Sequence, residues 1–242
     1  MPTVLRPPFR IGALLAPALA AYASVAVAGA PLVTDDASVV TPGTCQLEAW
    51  GTAAHDAHGF SVQPACNLVA DTELAVGASR TRADDGGTSS GLVIQLKHVF
   101  VADPDGAWAF GAEAGAERDT AAPPGRSAFA TGYARALATW NPADSLELDV
   151  DVGAASTRGS GSYALAGMAV QYALTPAMKL LGEVYHDEPG TGKVQAGVRF
   201  VVVPDRFEVY GSYGERFANR GDWWAIVGVR LQSRKLLRRR RA

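Results

Sequence analysis

Glu147, Asp149 and Asp151 occupy every second position of the segment LELDVDV (146–152). Carboxylates spaced two apart project from one face of an extended strand, about 7 Å from one another. Three acids in such a row could line a path that favours cations. They could equally be held by counter-charges on neighbouring strands, for which Arg135 is a candidate. The histidines are the other residues with chemical potential. His55 and His58 flank Asp56, and His186 is followed by Asp187 and Glu188. A hydrolytic site needs a nucleophile or activated water, a base and an orienting group within hydrogen-bond reach. A rim site built from both histidine groups is conceivable. However, no Ser/His spacing matches a barrel hydrolase, and the histidine pair is spaced like a chance surface pair or a weak metal site. The expectation is a non-enzymatic protein with no metal and no cofactor.

The carboxylates need elements to position them. In 144–174 Leu146, Leu148, Val150 and Val152 alternate with the three acids, and Arg158-Gly159-Ser160-Gly161-Ser162 reverses the chain. The return arm places Ala164, Ala166, Met168, Val170, Tyr172 and Leu174 on one face, with Gly167 and Gln171 on the other. Strict alternation separates an oily phase from a wet one. Each arm has about ten alternating residues, which at roughly 3.3 Å per residue and a tilt near 45° crosses the hydrocarbon layer of a bilayer.

The same unit recurs along the chain. Strands are expected over 44–54, 60–68, 72–82, 91–101, 108–117, 129–140, the two arms of the 144–174 hairpin, 178–186, 193–202, 207–217 and 222–231. Short turns (VAD, ADPDGA, WNPAD, LTPAM, VPDR) alternate with polar or Gly-rich tips (HDAHG, ADDGGTSS, AAPPGRS, TRGSGS, DEPGTG, ANRG). Sorting of short and long connections to opposite ends, with an even strand count, describes an all-β, closed antiparallel transmembrane barrel of about 12 strands in up-and-down order. Trp50, Trp108, Trp140, Trp223 and Tyr172 near strand ends are expected to form its interface girdles. Ring closure removes the exposed strand edges that lipid does not tolerate. Alternation then assigns Glu113, Glu117, Arg135, Glu147, Asp149, Asp151, Lys179, Glu183, Arg199 and Glu208 to the lumen as candidate binding residues, with Glu48, Glu73, Lys97 and Arg230 beside them. Because acids outnumber bases in this set, it favours cations. Such residues could also serve only as an ion-pair network that fills a narrow barrel.

Residues 1–28 read as a cleaved export signal, with Arg6 and Arg10 before an Ala/Leu-rich run and small residues at Ala26-Val27-Ala28. Residues 29–43 are expected to be an ordered periplasmic lead-in, 44–232 the barrel, and 233–242 a basic tail. The chain carries 22 Lys+Arg against 24 Asp+Glu. The signal takes two of the bases and the tail six, which leaves 14 against 24, about −10 for the body. That balance argues against nucleic acid as a partner. Cys45 and Cys66 both follow the signal, and in an oxidising compartment such a pair is expected to form a disulfide across the first two strands.

The head PLVTDDASVVTPGTCQLEAW (Pro31–Trp50), followed by alternating strands, resembles proteobacterial outer-membrane proteins grouped as phenol-degradation-pathway transporters. The resemblance implies a channel for small hydrophobic molecules and carries over no binding residues. The chain is therefore expected to be a monomeric outer-membrane channel or transporter of a Gram-negative cell, with a rim-located hydrolase or a structural barrel without transport as the alternatives. Its expected partners are outer-membrane lipid, the barrel-assembly machinery and a small-molecule solute.

Overall fold

A computed structural model describes residues 30–119, 129–188, 190, 192–217 and 221–234. The expected export signal lies outside these residues, as does the basic tail beyond 234. Twelve strands follow in order: β1 (Cys45–Ala54), β2 (Ala57–Val69), β3 (Thr72–Ala83), β4 (Thr88–Ala102), β5 (Trp108–Asp119), β6 (Thr131–Ala143), β7 (Leu146–Thr157), β8 (Gly161–Thr175), β9 (Met178–His186), β10 (Lys193–Val203), β11 (Phe207–Arg216) and β12 (Trp223–Gln232). Each pairs antiparallel with its sequence neighbours. β12 returns to β1, from Gln46 opposite Gln232 to Ala54 opposite Trp224, so the ring is closed. No helix among the described residues is long and apolar enough to cross a membrane.

Period-two sequence becomes two distinct surfaces. On β4, Leu92, Ile94 and Leu96 are exposed, whereas Val93, Gln95 and Lys97 are buried. On β7, Val150 and Val152 are exposed and Asp149 and Asp151 buried. This inverts the arrangement of a soluble protein and suits a barrel with an apolar outer band. Register shifts occur in the β2–β3, β4–β5, β6–β7, β8–β9 and β10–β11 pairs, always beside the short turn. Bulges there re-aim the strand ends at one rim.

The Cys45–Cys66 disulfide ties β1 to β2. Two local expectations are corrected. The first tip shrinks to His55-Asp56, because Ala57 and His58 already pair with β3 and His58 also pairs with Ala53 of β1. Trp50 does not join the girdle. It shares the inward face of β1 with Glu48 and is buried against Tyr210 and Ile226. Trp108 and Trp140 pair across β5–β6 on the outside, Tyr172 is exposed, and Trp223 stacks on the exposed Tyr213.

Candidate functional site

The lumen is occupied by the chain's own N-terminal segment. Ala30, Leu32, Val33, Thr34, Asp35, Ala37 and Val40 are each at most 7% exposed, enclosed by the ring. The stretch expected as a lead-in to the first strand is thus enclosed by the ring over these residues. Within 30–40 the segment belongs to no strand, so its peptide groups lack ladder partners. Buried peptide groups must nevertheless be satisfied.

The lumen walls satisfy them with side chains. Glu48 accepts from Ala30 N–H (2.9 Å), and Glu183 accepts from Val33 N–H (2.9 and 3.0 Å) and Thr34 N–H (2.8 Å). Glu73 accepts from Val40 N–H (2.8 Å). Thr139 Oγ1 accepts from Ala37 N–H (2.8 Å) and donates to Asp149 (2.7 Å), which makes a two-step relay from segment to wall. The segment's carbonyls are met by donors: Arg135 to Val33 (3.0 Å), Arg199 to Ala30 (3.4 Å), Gln195 to Pro31 and Asn67 to Val40 (2.8 Å). Lys97 bridges Asp35 at 2.8 Å and Asp36 at 3.4 Å, both on the segment. Three lumen acids, Glu48, Glu73 and Glu183, are therefore acceptors for a threaded backbone. That use of excess carboxylate is distinct from both an open cation path and a simple ion-pair filler.

The sequence-derived candidates all lie on inward faces but divide into separate groups. Arg135 reaches Asp151 (3.2 Å) and Glu113 (3.4 Å) and lies over the Tyr133 ring. It does not serve Glu147 or Asp149. Gln171 donates to Glu147 and lies 3.4 Å from Asp149. Arg199 lies 3.7 Å from Glu208, and Arg230 is shared between Glu208 (3.4 Å) and Glu48 (2.6 Å). Glu117 and Lys179 face inward by alternation, and neither side chain makes a hydrogen bond or ion pair among the described residues. Gln95, Gln171, Gln195, Asn67 and Thr139 carry much of the network, although charge alone does not single them out. Their parity with the acids on each strand was the available signal.

The mouth at the longer loops holds a second charge chain. Lys193 pairs with Asp187 and Glu188 (2.9 Å each), Arg216 with Glu188, and Arg216 with Asp222 (2.6 Å). Lys193 also lies over the rings of Tyr185 and Trp224. The ring does not bring the two strand histidines of the expected rim site together. His58 and His186 sit on outward faces of β2 and β9, with four strands between them. Asp187 pairs with the buried Lys193.

Two cavities adjoin the segment. A cavity of about 10 Å³ lies between Thr34, Asp151, Gly167 and Tyr185, about the room one water needs. A larger cavity of about 360 Å³ opens at the short-turn end, lined by Asp36, Ser38, Asp71, Trp108, Asn141 and Glu147.

A family model covers residues 15–233, nearly the whole chain. The chain belongs to the family described as Uncharacterised conserved protein UCP029691. No curated protein matches it by sequence. Among solved structures, the COG4313 outer membrane channel from Pseudomonas putida F1 is similar with a TM-score of 0.63 at 10% identity, over 82% of this chain and 98% of that one. The KdgM porin gives 0.60 at 10% identity over 77% and 98%, and the NanC porin 0.59 at 8% over 77% and 98%. At these identities the likeness establishes a shared barrel fold.

Proposed function

We propose that the chain is an outer-membrane channel for small molecules, non-enzymatic and passive, and closed in this state by residues 30–40. Passage requires that segment to leave the lumen or shift within it. The observation that carries the proposal is the burial of 30–35, 37 and 40 inside a ring whose outer face is apolar, held through side chains and not through strand pairing. Side-chain tethers to a segment with no ladder can be released while the ring stays closed. The barrel is exported on a signal cleaved after residue 28, delivered by the barrel-assembly machinery and surrounded by lipid as a monomer. The shared fold with outer-membrane channels supports this class. The resemblance of Pro31–Trp50 to phenol-degradation-pathway transporters supports a small hydrophobic solute. So do the inward rings of Tyr133, Tyr163, Tyr185 and Trp224 toward the loop end.

Deleting residues 31–40 tests the proposal. The variant should keep the different gel mobility of boiled and unboiled protein that marks a folded barrel, and its unitary conductance in planar bilayers should exceed that of the intact chain. A folded deletion variant that conducts no better than the intact chain refutes the proposal.

A further inference from the structure

Charge is scarce on the outer face of the ring. Among described strand residues pointing outward, the charged ones apart from histidine are Arg80, Arg82, Arg118 and Glu215. The three arginines fall on β3 and β5, separated only by β4, whereas Glu215 lies on β11 and accepts the Tyr213 hydroxyl (2.8 Å). All three are exposed, near the strand ends that lead into the longer loops. Arg80 stands beside Phe60 in register, Arg82 beside His58, and Arg118 beside Leu92. The apolar band of Leu74, Val76, Ile94 and Leu96 continues toward the other rim on the same strands. None of the three makes an ion pair among the described residues.

A guanidinium on the lipid side of a barrel is costly at the midplane and tolerable only at headgroup depth. Arginines that merely snorkel to water have no reason to gather on one sector of the ring. Gathered there, they match what headgroup phosphates need, since the planar guanidinium fork binds phosphate oxygens in pairs. Across β4, Arg80 and Arg118 are roughly 12 Å apart by strand spacing and rise, so separate phosphate groups of one large headgroup can engage both.

We propose that the outward Arg80–Arg82–Arg118 sector is a binding site for the phosphate groups of an anionic lipid in the outer leaflet. The site rests on the outer-membrane reading above but is independent of conduction.

Protein folded in dodecyl maltoside micelles is titrated with diphosphoryl lipid A and, in parallel, with the same lipid stripped of phosphate. Bound lipid is read by native mass spectrometry. The intact chain should retain the phosphorylated lipid preferentially, and R80Q/R82Q/R118Q should bind it about tenfold more weakly or worse. Arg158→Gln, at the β7–β8 tip outside the sector, should bind as the intact chain does. If the triple variant does not fold, single variants Arg82→Gln and Arg118→Gln should each show a partial loss. The site is refuted if a folded triple variant, or both singles, bind as tightly as the intact chain. Equal affinity for the dephosphorylated lipid, or an equal loss in Arg158→Gln, refutes it as well. Gel mobility of each sample separates the two levels. A chain that never shows heat-dependent mobility undermines the membrane reading, whereas a folded barrel indifferent to phosphate removes only this site.

Discussion

Replacing Glu183 with Ala should release the lumen segment while leaving the barrel closed. Glu183 accepts both the Val33 and the Thr34 N–H groups and is itself held by Gln195. Truncation leaves two buried backbone donors without an acceptor. Each orphaned donor costs about 1–3 kcal/mol, so docking of the segment weakens by about 2–6 kcal/mol. At about 1.4 kcal/mol per factor of ten, even the lower end raises the undocked population roughly thirtyfold. The ladders of β8–β9 and β9–β10 do not involve this side chain, so the ring itself should survive. Val33 is 5% exposed, which makes a Val33→Cys probe a direct reporter, since both native cysteines are already in the disulfide. A membrane-impermeant maleimide should label that cysteine roughly thirtyfold faster or more in the Glu183→Ala background. Unchanged labelling in a variant with normal heat-dependent mobility would falsify the assignment of Glu183 as a tether of the segment.

Lys97→Met removes the partner of buried Asp35, and breaking such a pair costs about 3–5 kcal/mol. Hydrogen exchange should rise across 30–40 and stay unchanged in the β3–β4 and β4–β5 ladders. Equal protection of the segment in both proteins contradicts this. The pair Glu147→Gln and Asp149→Asn should lower the cation preference of any conductance measured in the 31–40 deletion background, and unchanged reversal potentials remove the acidic-lumen idea. Gly153→Ala places a methyl group against the Ala134 carbonyl and the Arg135 backbone, a clash of about 1–3 kcal/mol. Its folded fraction on unboiled gels should fall, and wild-type yield would show that the ring yields easily there. Cys45→Ser with Cys66→Ser opens a linkage of sequence separation 21 and should lower unfolding stability by about 3 kcal/mol. This would be read as an earlier urea midpoint, with an unchanged midpoint as the contrary result.

The alternation of Leu146–Val152 with its three acids already specified a strand with one wet and one oily face. The same pattern repeated twelve times, with turns of two length classes, was enough to specify a barrel, because period two and turn chemistry are local properties. Strand bounds shifted where pairing overrode turn residues, as at Ala57–Gly59, and Trp50 changed sides by parity with Glu48. What the lumen acids do was settled only by ring closure. Residues 30–40 carry no period, and their partners on the barrel wall are 18 to 169 positions away. Only a closed ring brings Glu48, Glu73, Arg135, Glu183 and Arg199 around one peptide. The three carboxylates also divide there: Asp151 goes to Arg135, Asp149 to Thr139, and Gln171 spans Glu147 and Asp149. Charge and spacing place a side chain on a face, but which buried donor it must satisfy depends on what else is enclosed with it.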